Sequence, residues 1–131
     1  MAVRGIRGAT TAPANTKSDI VARTKEMLET LVRLNDIRTD DIASAIFSVT
    51  EDLNAEFPAV AARQMGWLYT PLFCTMEIPV QGSLKSCIRV LLHVNTDLKQ
   101  EEMKHVYLHE AEKLRPDLGT ASKNKFYTSE K

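Results

Sequence analysis

The sequence has few of the features that mark specialised classes of protein. Its 131 residues include two cysteines, Cys74 and Cys87, which form neither a CxxC pair nor a zinc-ligand pattern. Five glycines and five prolines are too few for a collagen-like or a Pro/Gly-rich disordered chain. Seventeen basic residues balance seventeen acidic ones, which argues against the broadly basic surface that nucleic-acid binding normally needs. We therefore expect one globular domain that does not bind nucleic acid.

Membrane segments and common catalytic motifs are also missing. No stretch approaches the roughly 18 consecutive apolar residues that a spanning helix needs, and Arg4 and Arg7 lie where a signal peptide would have its apolar core. We expect a cytoplasmic protein without a membrane partner. The sequence contains no GxSxG, GxxxxGKS/T or GxGxxG motif. His105 and His109 are four residues apart, but no third ligand lies near them, so we expect no metal site.

Hydrophobic periodicity predicts an α+β chain with the element order β-α-β-α-β-β. Thr16 and Asp19 have the spacing of a helix-capping box. Segment 101–114 fits both a helix and a short strand, and residues 119–131 are polar enough to predict a mobile tail after a single domain, 1–118. The predicted strands cover residues 2–12, 42–49, 68–78 and 87–96, and the predicted helices cover 17–35 and 57–65.

Charge is distributed unevenly along the neutral chain. The forty residues 57–96 contain four charged side chains, namely Arg63, Glu77, Lys85 and Arg89. Because burying a lone charge is costly, each must reach solvent, form a pair or line a polar pocket. Arg89 lies in the apolar run CIRVLLHV. It is either an edge-strand arginine that reaches water or a site arginine held by a central strand.

Other candidates are equally open to a structural interpretation. Arg4 and Arg7 point to opposite faces of the first predicted strand, and Gly5 and Gly8 are more typical of close packing than of binding. Cys74 in an apolar run is typical of a small core residue. Cys74 and Glu77 are three residues apart, so in a regular strand their side chains point to opposite faces. They share a site only if the strand ends, bends or bulges between them. The candidates are rich in arginine, which suits a small carboxylate ligand.

Five ordered blocks resemble the AroH-type monofunctional chorismate mutases, the α/β trimeric class that is distinct from the all-helical one. The similarity is collinear from about residue 2 to residue 118. The blocks are RGIRGATT (4–11), TEDLNAEFPAVAAR (50–63), CIRVLLHVNTD (87–97), HVYL (105–108) and LRPDL (114–118).

The resemblance implies a mixed four-stranded sheet with helices on one face, and a homotrimer with a barrel-like core and active sites between neighbouring subunits. It also implies the rearrangement of chorismate to prephenate in aromatic amino acid biosynthesis. This intramolecular Claisen reaction needs no metal, cofactor or nucleophile. The enzyme holds the dianionic substrate in its compact conformer and stabilises the negative charge that grows on the ether oxygen.

The resemblance also assigns roles to residues. Arg89 would be the main electrostatic catalyst, Arg7 would hold the side-chain carboxylate beside Tyr107, and Glu77 with Cys74 would contact the ring hydroxyl. The cleft wall from the neighbouring subunit would contain Phe57, Ala59 and Arg63, with Arg63 near the ring carboxylate. The C-terminal side would be closed by Leu114 and Arg115, with the tail as a lid.

Two departures and two rival functions accompany the resemblance. Val60 replaces a lysine expected in the FPA block, and the link from Arg63 to Trp67 is one residue short. One rival is a trimeric hydrolase or deaminase that acts on enamines or imines and anchors carboxylates by arginine. The other is a non-catalytic trimer that binds a dicarboxylate. Turnover of chorismate separates a chorismate mutase from both rivals.

Overall fold

The computed structural model describes residues 1–114 and the backbone of Phe126–Thr128. These ranges contain two helices and six strands, and three of the segments between them contain 3₁₀ turns: Thr39–Asp41, Gln100–Glu102 and His109–Leu114. The helices are α1 (Lys17–Leu34) and α2 (Ala59–Gln64). The strands are β1 (Ala2–Thr11), β2 (Ile42–Val49), β3 (Leu72–Met76), β4 (Cys87–Thr96), β5 (His105–Tyr107) and β6 (Phe126–Thr128).

Helix α1 begins where the sequence predicted. Thr16 is the N-cap, and its Oγ1 accepts a hydrogen bond from the Asp19 backbone N–H at 3.1 Å. This bond satisfies one of the amide donors that the first turn leaves unpaired. The helix ends at Asn35, whose Nδ2 donates to the carbonyl oxygens of Leu31 and Lys104. Its apolar stripe is buried against the sheet through Ile20, Met27, Leu28 and Leu31.

The strands form one mixed sheet in the order β3-β2-β4-β1-β5-β6. Strand β4 is antiparallel to β1 and β2, whereas β2 pairs with β3 in parallel and β5 pairs in parallel with β1 and β6. The predicted mixed α+β class is confirmed, and β5 and β6 extend the four predicted strands. Since β4 lies between β2 and β1, Arg89 is on a central strand, and the edge-strand interpretation is wrong.

The two faces of the sheet differ in what covers them. On the helix face a row of paired residues is fully or largely buried, and it contains Cys74, Phe47, Val90, Gly8 and Val106. The opposite face, which we call the open face, exposes large apolar side chains: Val3, Ile46, Phe73 and Leu91. Strand β2 was predicted to be buried throughout, but Ile46 on the open face is 38% exposed.

Several predicted boundaries move. Strand β3 is shorter than the predicted 68–78, and α2 begins after Pro58, which serves as its N-cap. In segment 101–114 the strand interpretation holds for His105–Tyr107, which lies between two 3₁₀ turns. The predicted tail, 119–131, lies outside the described residues except for the backbone of β6. None of the described helices is long and apolar enough to cross a membrane.

Candidate active site

An arginine and a glutamate form a close ion pair on the open face. Nη1 of Arg89, the third residue of β4, lies 2.6 Å from Oε2 of Glu77, one residue past the end of β3. Both side chains are partly exposed, at 41% for Arg89 and 33% for Glu77. The backbone N–H of Glu77 donates to the Val49 carbonyl at 2.8 Å, so the carboxylate is held at the edge of β2.

Strand register places Arg7 and Tyr107 on the open face, near the Arg89–Glu77 pair. Ala9 pairs with Arg89 on one side and with Tyr107 on the other, so these three residues share a row on the open face. Arg7 lies two residues before Ala9 and therefore shares that face. A cleft of about 290 Å³ is lined by Arg7, Arg89, Glu77 and Tyr107. Two cations, a carboxylate and a phenol thus surround one cavity, and we call this group the arginine cluster.

Leu114 lies close to the same cleft. It lines a small adjoining cavity of about 50 Å³ together with Glu77 and Arg89. Leu114 also packs with Leu84 against the buried cluster of Ala9, Tyr107 and Ala111. The 3₁₀ turn His109–Leu114 therefore forms one wall of the arginine cluster. Arg115, predicted beside Leu114, lies outside the described residues.

Four other predicted residues form a second group near α2. Phe57 and Cys74 line one cavity of about 360 Å³, and Ala59 follows Pro58 at the start of α2. Burial raises the pKa of the Cys74 thiol, while a hydrogen bond from the Ala59 backbone and the charge of Arg63 act in the opposite direction. Phe57 is 66% exposed. We call Phe57, Ala59, Arg63 and Cys74 the α2 group.

The two groups lie on different faces of the sheet. Cys74 pairs with Phe47 on the helix face, whereas Arg89 pairs with Ser48 on the open face. Strand β3 ends at Met76, before Glu77, and within one chain Cys74 and Glu77 contribute to different cavities. One chain therefore presents two separate parts of the predicted site.

Val60, at the position where a lysine was expected, lines neither the cavity of the arginine cluster nor that of Phe57. It is half-buried on α2 and lines a groove against α1 with Val21, Lys25 and Gln64. The substitution therefore removes a cation from the α1–α2 groove of the same chain.

The sequence did not single out Ser48 or Asp52. Ser48 lines the arginine cluster's cleft and is recognisable only through the pairing of β2 with β4. The Asp52 carboxylate accepts hydrogen bonds from Thr50 Oγ1 at 2.5 Å and from the Ser86 backbone N–H at 3.0 Å. Ser86 has a left-handed φ of 53°, so Asp52 stabilises an unusual backbone conformation immediately before β4. An acidic residue within a turn gives no sequence signal for such a role.

Cys87 belongs to the core at the start of β4. Burial raises the pKa of its thiol to about 11, and Arg89 opposes that shift. The thiol is therefore protonated at neutral pH and is a poor nucleophile. Its backbone N–H donates to Thr50 Oγ1 at 2.9 Å.

Comparisons with known proteins find relatives that match most of the chain. The family model for chorismate mutase type I matches residues 3–118. The chorismate mutase AroH of Bacillus subtilis strain 168 is 45% identical over 119 residues, which cover 90% of this chain and 94% of the relative. That of Thermus thermophilus is 49% identical over 120 residues, covering 91% and 98%. A solved chorismate mutase from Clostridium thermocellum is 54% identical with a TM-score of 0.82, covering 82% of this chain and 96% of that one. The chain therefore belongs to the type I chorismate mutase family.

Proposed function

We propose that the arginine cluster of one subunit and the α2 group of its neighbour together rearrange chorismate to prephenate in a homotrimer. The observation that carries the proposal is the position of Arg89. It lies on a central strand, is ion-paired with Glu77 and faces a cleft that also contains Arg7 and Tyr107. The reaction is an isomerisation within aromatic amino acid biosynthesis, and a cytoplasmic location stays a prediction.

The arginine cluster matches the needs of this reaction. Chorismate carries two carboxylates, and guanidinium groups bind carboxylates through two parallel hydrogen bonds. Arg7 would hold the side-chain carboxylate with Tyr107 beside it. Such contacts hold the substrate in the compact conformer, in which the reacting carbons are close together. The entropy cost of leaving the open conformers is then met on binding and does not add to the barrier.

Arg89 would supply the electrostatic part of catalysis. As the ether C–O bond breaks and the C–C bond forms, negative charge grows on the ether oxygen. A guanidinium N–H aimed at that oxygen stabilises the transition state more than the ground state. The 2.6 Å contact with Glu77 restrains the guanidinium before substrate binds, and Glu77 would also accept a hydrogen bond from the ring hydroxyl.

The open face supports the proposed assembly. It exposes apolar side chains of β1, β2, β3 and β4, and a contiguous exposed apolar face is typical of an interface. In a closed trimer each subunit presents one edge to each neighbour, so the α2 group of one chain can face the arginine cluster of the next. Cys74 and Glu77 would then reach the ring hydroxyl from different subunits, and Leu114 with Arg115 would close the cleft.

Incubation of the purified protein with chorismate tests the proposal. We expect chorismate absorbance to fall while prephenate accumulates, and native mass measurement should give three chains per particle. Arg89→Ala provides the inactive control. Release of ammonia from an enamine substrate without chorismate turnover would favour the hydrolase, and tight binding of a bicyclic transition-state analogue without turnover would favour the non-catalytic trimer.

A further inference from the structure

We infer that His105 is a positioning residue for Arg7: its imidazole fixes the backbone that presents this arginine to the substrate carboxylate. The inference rests on the proposed function. Its observation is a hydrogen bond in which the Arg7 backbone N–H donates to His105 Nδ1 at 3.0 Å. Because an amide N–H is always a donor, Nδ1 of the bound ring must be the acceptor and carries no proton.

Strand register explains why a side chain takes this position. On the β5 side of β1, the pairs run from Gly8 with Val106 to Ala9 with Tyr107, and the Leu108 N–H donates to the Ala9 carbonyl at 2.9 Å. Arg7 lies one residue before the first of these pairs. Its N–H points to the same strand edge as that of Ala9, two residues later. His105 Nδ1 therefore accepts the N–H that follows in the series along this edge of β1.

The position of this bond matters for the cleft. Arg7 is exposed and lines the cleft with Arg89, and a long side chain transmits any rotation of its strand to the guanidinium. On the other side, Arg7 pairs with Leu91 of β4. The imidazole thus adds a contact to the Arg7 backbone on the β5 side.

The two histidines of the HVYLH segment have separate surroundings. His105 belongs to β5, whereas His109 has a left-handed φ of 55° and its Nε2 lies 2.8 Å from Glu26 Oε1 on α1. Their spacing of four residues therefore does not place them together on a helix. The bond to Arg7 explains why a histidine is useful at position 105. A metal site shared with His109 does not explain it, because the two side chains have separate surroundings.

Three variants distinguish the effect of losing the hydrogen-bond acceptor at residue 105 from the effect of disturbing strand β5. His105→Val keeps a residue that favours strands but removes the acceptor. His105→Asn restores one, because Asn Oδ1 is bonded to Cγ as His Nδ1 is. Val106→Ala is the matched control, since it opens space under the same strand and leaves the acceptor in place.

Steady-state kinetics with chorismate is the first readout. Loss of a positioned binding contact raises KM with little change in kcat. We expect His105→Val to raise KM about tenfold, His105→Asn to recover most of that loss, and Val106→Ala to lower thermal stability without raising KM. A His105→Val enzyme with unchanged KM, or an Asn variant that recovers nothing, would overturn the inference.

Amide hydrogen exchange provides a readout that does not need turnover. In His105→Val we expect the Arg7 amide to exchange about tenfold faster than in the unsubstituted protein, while the Ile6 amide, on the opposite strand edge, keeps its rate. Equal acceleration at both amides would show general loosening and contradict the inference. If the unsubstituted protein left chorismate unchanged, the proposed function would fail on its own, and the exchange data would still decide whether His105 holds Arg7.

Discussion

Nη1 of Arg89 lies 2.6 Å from Oε2 of Glu77, although Arg89 is in β4 and Glu77 follows the end of β3, a strand that is not a neighbour of β4 in the sheet. Strand β2 lies between them, and the Glu77 N–H is bonded to its last residue, Val49. The pair therefore depends on three strands at once. The contact holds one guanidinium nitrogen beside the cleft, where a fixed donor can stabilise a developing charge.

Arg89→Lys should abolish most catalysis while the protein remains folded. Lysine keeps the charge, but it lacks the planar fork that can contact Glu77 and an oxyanion together. Removal of one such donor typically costs about 3–4 kcal/mol in the barrier, so kcat should fall at least about a hundredfold. Steady-state assays with chorismate measure the effect.

The matched control for that variant is Arg33→Lys, the same chemical change at an exposed position of α1. It should retain kcat within about twofold, since surface substitutions have small effects. An Arg89→Lys enzyme as active as Arg33→Lys would remove Arg89 from the mechanism.

Gly8→Ala should destabilise the fold. An added Cβ would lie 2.7 Å from Leu31 Cδ1, 3.1 Å from Val90 Cγ1 and 3.2 Å from Met27 Cγ. Such overpacking typically costs about 1–3 kcal/mol, which urea unfolding can measure. At Gly5 the added Cβ would meet Leu91 Cδ1 at 3.6 Å, an ordinary contact, so Gly5→Ala should cost less. Equal losses would contradict this account of β1 packing.

Asp52 should make folding stability depend on acid pH. Burial acts to raise the pKa of its carboxyl, but hydrogen bonds from Thr50 and Ser86 outweigh it and lower the pKa below 3.8. A lowered folded-state pKa means that the contribution is complete above the unfolded value and is lost as pH falls through the folded value. Asp52→Asn keeps a side-chain oxygen that can accept these bonds but removes the charge, so it should lower the free energy of unfolding at pH 7.

The Asp52 prediction is checked by unfolding both proteins across pH 2–7. The difference between the unsubstituted chain and Asp52→Asn should be constant above about pH 5 and shrink below pH 4. A difference that stayed constant throughout that range, or that grew on acidification, would show that the carboxylate charge is not what holds Ser86.

Much of the fold follows from local sequence signals. Short apolar or β-branched segments predicted β1, β2 and β4, and Thr16 predicted the start of α1. The three-residue strand β5 was ambiguous because its apolar pattern is too short to show a period. It is a strand because β1 offers it an edge, which is a tertiary effect that no local pattern contains.

The site was predictable in part. Arg89 and Glu77 stood out as charges in an apolar region. The sequence allowed Cys74 and Glu77 to share a site if the strand ended between them, and β3 does end at Met76, yet within one chain the two residues line different cavities. The contacts of Asp52 and His105 could not be predicted, since they depend on a turn conformation at Ser86 and on where β5 begins beside β1. The roles of the α2 group come from the resemblance, since each of its residues alone is typical of a core or surface position.

Mixed assemblies test the central claim, that each active site combines two subunits. Differently tagged Arg89→Ala and Arg63→Glu chains can be co-expressed and the doubly tagged particles purified. Each particle made of one variant alone should be inactive, but in a mixed trimer one of the three sites joins an intact Arg89 to an intact Arg63. The account predicts about one third of wild-type kcat per trimer. Mixed particles no more active than the separate variants would contradict it.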